Sequence, residues 1–149
     1  MQHFNLEDIK AFSKIYRLNM INSVTGYKSA NMIGTKSNSG KENVAIFSSI
    51  THLGSDPALL HFTLRPNTVP RDTYKNIKEN KVFTVNHVSM TNFEEAHHTS
   101  AKYDEDISEF DQTQLEPEYK LNWYAPFVMG SPVALGCRYL NEYDLSLIH

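Results

Sequence analysis

Cysteine is almost missing from this chain: Cys137 is the only one in 149 residues. One thiol excludes an internal disulfide and any metal cluster built on several thiolates. Long apolar runs are missing too. No window approaches the roughly 18 consecutive apolar residues that a membrane helix needs. The opening stretch MQHFNLEDIKAFSKIYRL is charged throughout and lacks the apolar centre of a secretory signal. There is no basic run, because 14 Lys and Arg face 17 Asp and Glu for a formal charge of -3. That excludes the broad positive field of a dedicated nucleic-acid binder, so any anion site must be local. Neither a P-loop nor a Rossmann glycine pattern occurs. Ser48, Ser49 and Ser100 stand outside any G-x-S-x-G context, which leaves a serine hydrolase little support. The expectation is a soluble, cytoplasmic protein of a reducing compartment, with no membrane, nucleic-acid or metal partner.

What is present suits one domain over residues 1–149. Hydrophobic residues make up 40% of the chain, enough for a core. Asn5 is placed to cap a helix in which Leu6, Ile9, Phe12 and Ile15 recur at helical spacing. Strand patterns follow at 30–36 and 43–48, joined by the turn residues Ser37-Asn38-Ser39-Gly40. In the second of these, Val44 and Ile46 share one face while Ala45 and Phe47 share the other, as in a strand covered on both sides. Gly54-Ser55-Asp56-Pro57 reads as a break before a strand at 59–65. A helix is expected over 71–79, stopping at Asn80, then a strand over 82–88. Thr91 and Glu94 have capping-box spacing for a helix ending near His98. Short helical turns are expected through 102–123 and a last strand over 133–142. Short links between the first strands favour antiparallel pairing: an α+β, mostly β fold with inserted helices.

The most informative segment is LRPNTVPRDTYKNI, residues 64–77. A strand delivers Arg65 to its end, Thr68 follows, and Arg71 and Thr73 fall at the start of the next helix. Helix N-termini present unpaired N–H groups and the positive end of the dipole, so two guanidinium groups and two hydroxyls there form a seat for a phosphate. An ordinary surface helix with solvated arginines gives the same pattern. A second element, NVAIFSS, is a strand ending in two serines, where hydroxyls and backbone meet a flat ligand or simply end a strand. His97 and His98 are adjacent and point about 100° apart on a helix, unlike the paired histidines of a metalloprotease. Asp104, Glu105, Asp106 and Glu109 read as a solvated acidic face, without the glycine and spacing of a calcium loop.

These residues carry a resemblance. The run from SANMIGTKSNSGKENVAIFSS through SDPALLHFTLRPNTVPRDTYKNI to VFTVNHV resembles the flavin reductase-like FMN-binding split-barrel proteins. EEAHHTSAKYDEDISEF and YAPFVMGSPVALGCRYL resemble the continuation of the same family, in the same order. The resemblance implies a homodimeric antiparallel split β-barrel binding FMN near the subunit interface. It implies Ala45, Ile46, Phe47, Ser48 and Ser49 beside the flavin ring and ribityl chain. Arg65, Thr68, Arg71 and Thr73 would hold the phosphate, with Asn67 and Val69 shaping that loop. His97 and Ser100 would approach the open face of the ring. Family members continue for some tens of residues beyond LNEYDLSLIH, so the resemblance implies a C-terminally short domain lacking a barrel strand. The activity implied is transfer of hydride from NADH or NADPH through FMN to a second acceptor. The alternatives are an FMN carrier or storage protein without turnover, and a structural remnant that binds no flavin.

Overall fold

A computed structural model describes residues 2–65, 71–104 and 107–145. The chain opens with helices α1 (Leu6–Ala11) and α2 (Lys14–Ser23), then strands β1 (Asn31–Lys36) and β2 (Glu42–Phe47). A hairpin of β3 (Thr51–Ser55) and β4 (Ala58–His61) precedes α3 (Asp72–Asn80), β5 (Val82–His87) and α4 (Phe93–His98). A 3-10 turn (Glu109–Gln112), the short pair β6 (Pro117–Glu118) and β7 (Phe127–Val128), and β8 (Ala134–Arg138) complete the order. The central sheet runs β2-β1-β5-β8, and each neighbouring pair is antiparallel. This is the antiparallel α+β fold expected from the sequence, with the helices inserted between strands.

Alternation along β1 and β2 explains why the sheet is covered on both sides. Met32 and Val44 pack on one face with Ala96 of α4 and with Phe110, Leu115 and Val128. Ile33 and Val85 pack on the other with Ile77 of α3, Ile50 and Phe83. Ile46 joins the first layer and Phe47 the second, where Phe47, Phe62 and Phe83 stand edge to face at 5.4 and 5.7 Å. Such aromatic pairs add about 0.5–1.5 kcal/mol each beyond their burial.

Buried polar groups lock the register. Asn86, fully buried on β5, donates to Met32 O (3.2 Å) and Thr84 Oγ1 (2.9 Å) and accepts from Val128 N (3.0 Å). Thr84 Oγ1 in turn donates to Pro126 O at 2.6 Å. Gly34 lies beneath that bond, and a Cβ there would collide with the Pro126 carbonyl and stand 2.6 Å from Thr84 Oγ1. Glycine is therefore what lets residues 125–128 lie on β1.

Several local expectations differ from the structure. The first helix is two, because Ser13 caps a second helix and separates Ile15 from the Leu6 turn. Gly54 and Ser55 end β3, a strand the sequence pattern did not indicate, and the turn after it contains the cis Asp56-Pro57 bond. The following strand is β4, Ala58–His61, instead of 59–65. Lys81, left-handed at φ 61°, closes α3 one residue after Asn80. Asn80 instead donates to Lys36 O (2.9 Å). The Thr91–Glu94 capping box does not form: Asn92 is the N-cap of α4, with its side chain turned back to accept from Ser89 N (2.8 Å). The last strand is shorter than 133–142.

Candidate functional site

The start of α3 has an unusual cap. Arg71 occupies the N-cap position with extended backbone (φ −131°, ψ 113°), and among the described residues no side chain caps the helix. Serine, threonine, asparagine or aspartate normally fills that position and satisfies the first free amides. Here those amides are left to whatever occupies the space in front of them. Arg71 also carries a buried Nε without a hydrogen-bond partner among the described residues. A buried charged donor is costly unless paired, so this guanidinium is suited to an anion. Asp72 does not compete for it, because its carboxylate lies 3.6 Å from Lys41 Nζ. Arg65 is exposed and is the last described residue before residues 66–70. Asn67, Thr68 and Val69, expected to complete the seat, lie outside the described residues.

Thr73 is placed differently from an open anion ligand. It is buried and packs against Asn43 of β2. In the amide orientation that satisfies both partners, Asn43 accepts from Thr73 Oγ1 (3.1 Å) and donates to Glu109 Oε2 (3.1 Å). The one hydroxyl proton of Thr73 is then directed at β2, so Thr73 anchors the first turn of α3 to the sheet. Asn76, one turn on, donates to Thr35 Oγ1 (3.1 Å) and fixes the same helix to β1.

β2 is an edge strand of the central sheet. Its outward amides are held by other elements: Val44 N donates to Glu109 Oε2 (3.3 Å) and Ile46 N to Thr99 Oγ1 (2.9 Å). Ser48 is exposed. Ser49 Oγ donates to Thr63 O (2.9 Å) and accepts from Thr63 N (3.1 Å), so it clamps the chain leading to Arg65. Ala45 and Phe47 face the α3 side, whereas Val44 and Ile46 face α4. The start of α3 thus stands beside Asn43 at the hairpin end of β2, whereas Ser48 and Ser49 follow its other end.

On the α4 side lies an open groove of about 430 Å³. Ala30, Ile46, Val88 and Phe93 form its apolar lining, and Glu94, His97 and His98 its polar part. The structure thus brings Ile46 and His97 together, and both adjacent histidines reach the same groove. Ser100 makes no visible use of it, since its hydroxyl donates to His97 O (2.7 Å). Among the described residues no group of three or more His, Cys, Asp and Glu is arranged to hold a metal ion.

The sequence pattern did not single out Thr99, and it named Asn43 only as the start of NVAIFSS. Glu109 is a correction to the solvated acidic face: it reaches inward to β2, and burial holds its carboxyl above the usual range. The flanking Ile107 and Phe110 were the available signal, since an acid between two apolar residues is often carried inward. Cys137 is partly buried, and burial pushes its thiol up to about 11.

An antiparallel central sheet flanked by hairpins, with an uncapped helix start beside its edge strand, is the split-barrel class. The chain belongs to the family described as flavin reductase like domain, whose sequence profile matches residues 25–147. An uncharacterized protein of Aquifex aeolicus is 30% identical over 121 residues, covering 78% of this chain. The chain spans 62% of the length of that relative. A split-barrel protein from Shewanella frigidimarina NCIMB 400, assigned to the flavin reductases, superposes with a TM-score of 0.93 at 42% identity. That match covers 98% of this chain and 72% of the other. The FMN-binding domain of a flavin reductase-like enzyme from Shewanella baltica OS155 shares the fold at 20% identity, with a TM-score of 0.69. It covers 77% of this chain and 59% of that one. No helix among the described residues is long and apolar enough to cross a membrane.

Proposed function

We propose that this chain is a single flavin reductase-like domain that binds FMN and, as a cytoplasmic homodimer, passes hydride from NADH or NADPH to a second acceptor. The observation that carries the reading is the buried Nε of Arg71, unpartnered among the described residues, at a helix start that no side chain among them caps. A doubly charged phosphate ester is the chemistry that such a donor set accepts. Arg71, Arg65 and the first amides of α3 would hold the phosphate, with Thr68 in the loop between them, Asn67 and Val69 shaping that loop, and Thr73 fixing the helix. The run from Ala45 to Ser49 would lie along the ring and ribityl chain, with the amides at its end turned to the ring edge. His97 and, less directly, Ser100 would stand by the groove through which the second substrate approaches. Bound flavin supplies the redox chemistry itself, so no side-chain nucleophile is required.

The magnitudes are consistent. A hydrogen bond to a charged group contributes about 1.5–3 kcal/mol and a helix terminus about 0.3–1 more, whereas micromolar affinity needs about 8. The phosphate seat therefore supplies a large share, and apolar contact along β2 supplies the rest. Titrating the protein with FMN tests this directly. Quenched flavin fluorescence together with steady NAD(P)H oxidation is the expected result. Binding without turnover would assign a carrier instead, and absence of binding would overturn the reading.

A further inference from the structure

The turn between β1 and β2 carries polar contacts that the site above does not use. Lys41 closes it with both backbone groups: its N donates to Ser37 Oγ (3.0 Å) and its O accepts from Ser37 N (2.8 Å). Residues 119–124 brace the same turn. Tyr119 OH donates to Glu42 Oε1 and accepts from Lys36 Nζ (2.9 Å), and Tyr124 OH donates to Ser37 O (2.7 Å). Lys36 Nζ lies over both rings, 4.7 Å from the centre of Tyr119 and 5.5 Å from that of Tyr124. Lys41 and Asn43, two residues apart on the chain, are thereby held in place where they meet α3.

What they meet are the first two side chains of that helix. Aspartate and threonine readily bond nearby backbone groups, and a carboxylate in a first turn is drawn to the free amides there. Here Asp72 lies 3.6 Å from Lys41 Nζ instead, and Thr73 Oγ1 stands 3.1 Å from Asn43. Asp72 directly follows Arg71, and its charge opposes any phosphate at the same helix start. The Lys41 and Asp72 side chains are 27% and 26% exposed, so water and salt screen them only in part. Glu109, bonded to Val44 N beside Asn43, feels both charges. Burial is the main cause of its raised carboxyl, and behind burial and two backbone bonds Asp72 raises it while Lys41 lowers it.

We propose that Lys41 is a specificity residue of the anion seat: it offsets the Asp72 charge and so lets the seat favour FMN over riboflavin. The inference rests on the FMN reading above and adds a positioning residue to it. Calorimetric titration with both flavins tests it on the wild type, Lys41→Met, Lys41→Arg, Asp72→Asn and Lys41→Met/Asp72→Asn, with circular dichroism as the check on folding. Lys41→Met leaves the carboxylate unopposed and should lower the FMN to riboflavin affinity ratio about tenfold, with riboflavin binding unchanged. Lys41→Arg should keep the ratio, Asp72→Asn should keep or raise it, and the double variant should restore it. A Lys41→Met protein with the wild-type ratio overturns the inference and leaves FMN binding standing. So does a double variant no better than Lys41→Met. A wild type that binds both flavins equally overturns the anion seat itself.

Discussion

At the scale of single residues, three side chains report on the interior by different means. Arg71 is the donor whose buried Nε has no partner among the described residues. Glu109 holds its proton more tightly in the folded chain than in the unfolded one, because burial raises its carboxyl above the ordinary value of 4.5. Stability from this group is therefore full below that value and is lost as pH rises through the raised one. Glu109→Gln keeps an acceptor for the Val44 amide without titrating. In paired urea melts the wild type should gain stability relative to the variant as pH falls from neutral toward 4.5. Parallel curves would contradict the placement of Glu109. Cys137, with its thiol near 11, should react with a thiol reagent at mildly alkaline pH about 100-fold more slowly than in the unfolded chain. Equal rates would show that the thiol is not shielded.

At the scale of elements, β1 and β2 do most of the positioning. β1 is covered on both faces and crossed by residues 125–128, which only Gly34 permits. Gly34→Ala should cost about 1–3 kcal/mol by overpacking, read as a lower urea midpoint with the slope unchanged. A neutral result would mean that the crossing segment gives way. β2 is kept from pairing along its outer edge by Glu109 and Thr99, which leaves its far end, Ser48 and Ser49, as the open part.

The same elements show what a sequence pattern reveals. β1, β2, α3 and β5 were legible because their apolar residues alternate, or repeat at helical spacing, between clear turn residues. β3 was not, because Thr51–Ser55 reads THLGS, with polar and breaker residues in an exposed hairpin whose register is set by its partner strand. The α4 cap was misread because Thr91 and Asn92 are both good caps, and the Ser89 turn decides between them. In the site, Arg71 and its helix were legible from spacing. The inward turn of Thr73 was not, since it depends on Asn43, which lies 30 residues away in sequence.

At the scale of the whole molecule, a weakly acidic chain combines a helix start that bears Arg71, a groove lined by apolar residues with Glu94, His97 and His98, and two N-terminal helices that bury no residue. Membership of the flavin reductase like domain family makes these parts intelligible together. A split barrel places an edge strand beside a helix start, and a flavin needs both an anion seat and a flat approach. The central claim is that the anion seat holds the phosphate of FMN. Calorimetric titration with FMN and with riboflavin, on the wild type and on Arg71→Ala, isolates that one group. FMN should bind the wild type at least about tenfold tighter than riboflavin, and Arg71→Ala should remove most of the difference. Equal affinities of the wild type for the two flavins would contradict the account.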